Sequence, residues 1–259
     1  MEAVYTTSIT KIKGDRRFIT EDTLVREIKL EIVVNGKKVA AVMATPIDQK
    51  ALALGYLMSE DIIRHIDDLE KIELLNDGTM VNVTAKINDD SVKKLNSEGV
   101  VTSGCGRSMT ANIDPEAIEA KVIKSDFSIP ASLLLNEMGQ FYTECPLYEE
   151  TGCVHTAKLF IDEATFFIGE DIAQHNTIDK AVGKALLAGA DITNAFLMVS
   201  GRLSSEMVAK AVMYQIPIIA SRTASTCLGV QIAEKFGLTL IGFVRGDRMN
   251  IYKNPQRIL

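Results

Sequence analysis

The chain has 259 residues, 28 Lys+Arg against 34 Asp+Glu, 47% hydrophobic residues and 6% aromatics. A net charge of −6 spread along the chain excludes a general nucleic-acid binder, which would carry a basic face, and the apolar content excludes disorder. Residues 1–13 lack the apolar core of a secretory signal, and no apolar run approaches the ~18–20 residues that a membrane helix needs. A cytoplasmic chain is expected, with neither nucleic acid nor membrane as partner. In a reducing compartment its four cysteines are expected as free thiols.

In chain order, Leu24, Ile28, Leu30, Ile32 and Val34 share one parity while Glu27, Lys29 and Glu31 hold the other, the period of a half-buried strand. Asn35-Gly36 supplies the positive φ angles of a two-residue turn into a second strand over 37–44. A short helix over 48–59 is followed by a strand over 71–75, the turn Asn76-Asp77-Gly78, and a strand over 80–87. There Val81, Val83, Ala85 and Ile87 alternate with Asn82, Thr84 and Lys86. Residues 97–130 are irregular, with a glycine-rich stretch from Thr102 to Ser108 and with Pro115 and Pro130 as helix starts. A linker is expected here.

Beyond it, strands over 165–169, 195–200, 217–221 and 238–244 alternate with helices over 176–187, 204–214 and 226–236. Short strands that are almost wholly apolar are buried on both faces, which predicts an α/β layer with a mostly parallel sheet. The fold class is α/β, α+β overall. A smaller strand-rich α+β domain is expected over 1–128, with a loop cysteine near its end, and an α/β domain over 129–259.

In an open parallel sheet, ligands sit outside the carboxyl ends of the strands. The residues just past the expected strands are Glu170-Asp171, Gly201-Arg202, Arg222 and Arg245-Gly246-Asp247-Arg248. Arginine forks bind phosphate oxygens in pairs, and a carboxylate accepts both edge N–H groups of a guanine. Such an edge suits a purine nucleotide or pyrophosphate. No G-x-x-x-x-G-K-[ST] is present, and Gly104-Cys105-Gly106 fails the dinucleotide fingerprint because its third glycine position is Met109.

Cys105, between two glycines and near Arg107, has the setting of a nucleophilic or sulfur-carrying thiolate, with an ordinary loop cysteine as the alternative. Cys145, before Pro146, and Cys227, in a helix of apolar spacing, read as core or boundary residues. The spacing of Cys145, Cys153 and His155 matches no common zinc site and lacks a fourth ligand, so no bound zinc is expected. His175 and Asn176 lie at a strand-to-helix junction, where helix N–H groups and an imidazole can hold an anion or where Asn176 simply caps the helix. His65 carries no expected role.

Thr151-Gly152-Cys153-Val154-His155, the run Glu170-Asp171 to His175-Asn176 with Asp179-Lys180, Ser200-Gly201-Arg202, and the closing run from Gly242 to Tyr252 together resemble the FdhD family. The resemblance covers most of the chain from Leu24 onward. It implies a sulfur carrier that takes sulfur from a cysteine desulfurase and passes it to the molybdenum (or tungsten) bis-guanine-dinucleotide cofactor before that cofactor enters formate dehydrogenase. It also implies a C-terminal domain like the three-layer fold of cytidine deaminases, a homodimer, and GDP as a mimic of the bound substrate. The family's persulfide cysteine matches Cys105. Its cofactor-contacting stretch matches Phe243, Val244, Arg245, Gly246, Asp247 and Arg248, and Arg202, His175, Asn176 and Asp171 are expected to complete the site.

The sequence departs from the family pattern at three places. Ser108 stands where many members have the second cysteine of C-x-x-C, so the relay uses one cysteine. Ala173-Gln174 replaces a glycine–arginine pair, and Cys153 replaces a glycine. Deamination is excluded as a rival because His155-Thr156-Ala157 lacks the glutamate of H-x-E and no P-C-x-x-C exists. A cofactor-holding chaperone that transfers no sulfur is the other alternative.

Overall fold

The computed structural model describes residues 1–97, 118 and 120–259. Cys105, Arg107, Ser108, Pro115 and most of the expected linker lie outside the described residues.

The chain opens with a hairpin that the sequence pattern does not announce, β1 (Val4–Lys13) and β2 (Arg16–Val25), which forms its own two-stranded sheet. Most of its side chains are exposed, so no hydrophobic alternation marks it. Leu24 belongs to β2 and is 45% exposed, which corrects its expected place in the next hairpin.

That hairpin, β3 (Ile28–Val34) and β4 (Lys37–Ala44), turns at Asn35 and Gly36 with φ of 49° and 78°. After α1 (Gln49–Ser59) come β5 (Leu69–Leu75) and β6 (Met80–Ala85), joined through Asn76, Asp77 and Gly78, all at positive φ. The four strands form one sheet in the order β4-β3-β6-β5, whose apolar face, including Leu30, Ile32, Val81 and Val83, packs on Leu52 and Leu57 of α1. A helix α2 (Asp89–Ser97) follows.

The second layer system begins with α3 (Ala131–Gln140), entered from Pro130, and α4 (Pro146–Thr151). Then come β7 (His155–Asp162), β8 (Thr165–Asp171), α5 (Gln174–Leu187), β9 (Phe196–Val199), α6 (Ser205–Met213), β10 (Ile218–Ser221), α7 (Cys227–Phe236), β11 (Thr239–Arg245) and β12 (Arg248–Lys253). They build a six-stranded sheet in the order β12-β11-β10-β9-β7-β8.

This sheet is mixed, which corrects the expected mostly parallel one. β9, β10 and β11 run parallel, but β7 is antiparallel to both neighbours and β12 to β11. The reason is connection length: β7–β8 and β11–β12 are joined by turns of two residues, which permit only antiparallel pairing, whereas helices α6 and α7 supply the crossovers that parallel pairing needs. Because β8 and β9 are both antiparallel to β7, β8 still points the same way as β9, β10 and β11. One face of the sheet is covered by α5, α6 and α7, with Ile118 and Ile123 joining that core, and the other by α3.

The two sheets meet through α1 and α5, and glycines set the distance. A methyl group at Gly55 would lie 2.2 Å from the Asp179 carbonyl oxygen, and one at Gly183 would lie 2.0 Å from that of Ala51. Beside this crossing, Lys210 Nζ lies 2.9 Å from both carboxylate oxygens of Asp179 and donates to Ser59 Oγ at 2.9 Å. The packing of the helices and this buried ion pair hold the two sheets together.

Candidate functional site at the strand-end edge

The shared direction of β8, β9, β10 and β11 brings Asp171, Arg202, Arg222 and the run Arg245 to Arg248 to one edge of the six-stranded sheet. His155 starts the antiparallel strand between them and pairs with Asp171. Arg202, Arg245 and Arg248 are exposed and Arg222 is half-buried. Among the described residues none of the four enters a salt bridge with a carboxylate, so their positive charge is available to an anion.

Two of these guanidinium groups lie over aromatic rings. Arg222 is 5.2 Å from the ring centre of Tyr142, and Arg245 is 5.9 Å from that of Phe243. Arg245 Nε also donates to the carbonyl of Arg222 at 3.0 Å, which ties the ends of β10 and β11 together. Such stacking fixes a guanidinium without using up its outward N–H groups.

Phe243 is held at φ +51°, a left-handed conformation that is costly for a bulky residue. The pairing of β11 with β12 is irregular between Gly242 and Arg245. Phe243 N donates to the Thr223 carbonyl at 3.0 Å. A methyl group at Gly242 would lie 2.7 Å from that same carbonyl and 2.8 Å from the Tyr252 ring. The bulge therefore turns an aromatic ring out of the core, leaving it 38% exposed, beside the arginines. Strain of this kind persists where the surroundings over-determine it, and it concentrates at functional sites.

Next along the edge are two imidazoles. His155 Nδ1 lies 3.3 Å from Ser200 Oγ, which accepts the Thr156 N–H at 3.0 Å. Burial, then the positive charges of His175 and Arg202, hold the His155 pKa below its ordinary value against the opposing pull of Asp171. His175 Nε2 lies 3.0 Å from Glu206 Oε2, and this hydrogen bond is the main reason that the Glu206 carboxyl sits below the usual range. Gln174 Nε2 donates to the Arg202 carbonyl at 2.8 Å, so the residue that replaces an arginine of the family pattern braces the Arg202 backbone.

Asp171, Asn176 and Val244 lie beneath this surface. Asp171 accepts from the backbone N–H groups of Thr45 and Ala173 at 3.0 and 2.9 Å and from Asn176 Nδ2 at 2.9 Å, and pairs with Lys180 Nζ at 2.6 Å. Asn176 Nδ2 also donates to the Met43 carbonyl at 2.8 Å. Lys180, whose pKa burial pushes down, donates to the carbonyls of Thr45 and Glu170. These groups are engaged with protein partners and anchor the edge to the end of β4. Gly246 and Asp247 lie exposed in the turn into β12, and Arg248, also exposed, opens that strand.

Cys145 is buried, with Sγ 3.1 Å from the Phe141 carbonyl, and burial pushes its thiol up to about 12. Cys153 is exposed, and Cys227 is exposed as well. As the first residue of α7, Cys227 faces solvent, which corrects its expected place in or at the border of the core. Among the described residues no group of three or more His, Cys, Asp or Glu could hold a metal ion, and no helix is long and apolar enough to cross a membrane.

Tyr142 and Glu206 are not singled out by the sequence, whereas Ser200 stands there only as part of the Ser200-Gly201-Arg202 motif. Glu206 carries a weak signal as an acidic residue in the first turn of α6. Tyr142 carries none, because only packing brings it to the edge, while Ser200 follows β9 directly and so has the strand-end signal of its neighbour Arg202.

The fold and the edge define a mixed α/β protein with an arginine-rich edge across its strand ends. The FdhD/NarQ family profile matches residues 25–259, and the chain belongs to that family. It is 42% identical over 247 residues to the sulfur carrier protein FdhD of Wolinella succinogenes, covering 95% of this chain and 86% of that one. To the sulfur carrier protein FdhD of Picrophilus torridus it is 34% identical, covering 96% of each. A crystal structure from Desulfotalea psychrophila, described as a formate dehydrogenase accessory protein, superimposes with a TM-score of 0.83 at 25% identity over 100% of both chains.

Proposed function

We propose that this chain is a sulfurtransferase of the carrier kind, accessory to formate dehydrogenase. The Cys105 thiolate attacks the outer sulfur of a persulfide on a cysteine desulfurase, the sulfur–sulfur bond breaks, and the desulfurase thiolate leaves. Cys105 then carries that sulfur to the molybdenum (or tungsten) bis-guanine-dinucleotide cofactor, which is the substrate, before it enters the formate dehydrogenase catalytic subunit. The chain works in the cytoplasm as a homodimer. Its division is an N-terminal α+β domain over 1–128 and a deaminase-like α/β domain over 129–259.

The observation that carries this reading is the strand-end edge, which carries Arg202, Arg222, Arg245 and Arg248, with the outward ring of Phe243 against Arg245. A guanine dinucleotide offers a planar base and a pyrophosphate, and the edge offers an aromatic face and several forks for phosphate oxygens. The carrier function of the relatives supports the sulfur-transfer half of the reading.

The test is peptide mass spectrometry after incubation with a cysteine desulfurase and free cysteine, for wild type and Cys105→Ala. A reductant-labile extra sulfur on the Cys105 peptide alone is expected. If no sulfur is taken up, or if it spreads equally over Cys145, Cys153 and Cys227, sulfur transfer is refuted. Retained GDP binding in that case identifies a cofactor-holding chaperone.

A further inference from the structure

The β1–β2 ribbon stands apart from both larger sheets. Its ten residue pairs run from Val4↔Val25 to Lys13↔Arg16, a length of about 33 Å at ~3.3 Å per residue. A two-stranded ribbon is marginal in water unless a further layer covers one face. Successive side chains point to opposite faces, so Ser8, Thr10 and Ile12 share a face with Glu21, Ile19 and Arg17 of the paired strand. All six are exposed, Ile19 at 78% and Ile12 at 63%. The opposite face has Thr7, Ile9 and Thr20 half-buried.

The exposed face is complementary to itself. Along β2 the order is Arg17, Ile19, Glu21, each two residues apart, with the apolar side chain at the centre. Turned by a two-fold rotation about Ile19, the same face presents Glu21 to Arg17 and Arg17 to Glu21, while Ile19 meets its own copy. Among the described residues neither Arg17 nor Glu21 enters an ion pair within its own chain. A two-fold interface is isologous, so each favourable contact occurs twice.

We propose that the Glu21–Ile19–Arg17 face of the β1–β2 ribbon docks on the same face of a second copy of this chain. The inference rests on the homodimer of the functional reading and supplies its surface. The partner ribbon covers the face that the rest of the chain leaves exposed. The alternating charges set the antiparallel register, because a parallel apposition places Arg17 on Arg17 and Glu21 on Glu21.

The test is sedimentation of the full chain across micromolar protomer concentrations, for wild type, Arg17→Glu, Glu21→Arg and the double exchange. Each single exchange sets like charges against each other at both symmetric positions and is expected to raise the dimer dissociation constant about tenfold or more. The double exchange restores opposite charges and is expected to bring the dimer back. These side chains are solvent-exposed, so the monomer fold is kept, which circular dichroism checks. A wild type that stays monomeric overturns both the homodimer and this surface. A wild-type dimer that is indifferent to either single exchange, or a double exchange that fails to restore it, overturns the surface alone.

Discussion

Arg245 Nε donates to the main-chain carbonyl of Arg222 at 3.0 Å, so one arginine side chain is oriented by the backbone of another across the ends of β10 and β11. With Arg245 also over the Phe243 ring, the guanidinium is placed before a ligand arrives. Truncating it removes a charged hydrogen-bond donor worth roughly 1.5–3 kcal/mol. Arg245→Ala is expected to weaken GDP binding by about tenfold or more, and Arg245→Lys to recover only part of the loss because a lysine has no fork. Titration calorimetry reads both, and an unchanged GDP affinity for Arg245→Ala would remove this residue from the site.

His155 offers a probe of the same edge through pH. Its pKa lies below the ordinary histidine value of 6.5, so the folded chain binds that proton less readily than the unfolded chain. The sign follows: His155 lowers stability as pH falls through 6.5, and this effect is absent at higher pH. An anion at the edge offsets the charges of His175 and Arg202, so GDP is expected to move the His155 titration upward. Proton NMR of the imidazole resonances, assigned with His155→Gln, follows the shift. A midpoint that does not respond to saturating GDP would place the phosphates elsewhere.

The contact between α1 and α5 predicts a stability effect far from the arginine edge. Added methyl groups at Gly55 or Gly183 would meet backbone atoms, which cannot swing aside as a side chain end can. Overpacking costs typically 1–3 kcal/mol and more where backbone must shift. Gly55→Ala and Gly183→Ala are each expected to lower the urea midpoint by that order. Gly139→Ala, with nothing within 4 Å of the added methyl, serves as the control and is expected to leave it unchanged or higher.

Thiol labelling separates the described cysteines. Cys145 is buried with its thiol held at about 12, so it presents almost no thiolate at neutral pH. Exposed Cys153 and Cys227 are expected to react with iodoacetamide in the native protein, while Cys145 reacts only after denaturation. Rapid native labelling of Cys145 would contradict its burial and would complicate any assignment of persulfide by elimination.

The elements legible in the sequence were those with local causes. Asn35-Gly36 required a tight turn, the alternation of β6 required a half-buried strand, and the buried strands β9, β10 and β11 stood out as short apolar runs between amphipathic helices. The arginines at the ends of those strands were visible for the same reason, since a strand's end is a position in the chain. β1 and β2 were not legible, because a ribbon exposed along most of its length needs no hydrophobic period. β7 and β12 escaped because each belongs to a hairpin, β7 as the first of its pair and β12 as the second, whose partner gave the stronger apolar run.

What the sequence determined by itself was therefore the inventory: two α/β regions, the turns between strands, and a set of arginines, histidines and an aromatic destined for strand ends. The tertiary structure decided how they are used. It set the mixed direction of the six-stranded sheet, turned Phe243 outward at a positive φ, took Asp171 and Asn176 out of solvent, and brought Tyr142 under Arg222. Each of these depends on atoms distant in the chain, such as the Thr223 carbonyl beside Gly242 or the Thr45 amide beside Asp171. Local propensity cannot encode such contacts, because their free energy exists only once both partners have been brought together.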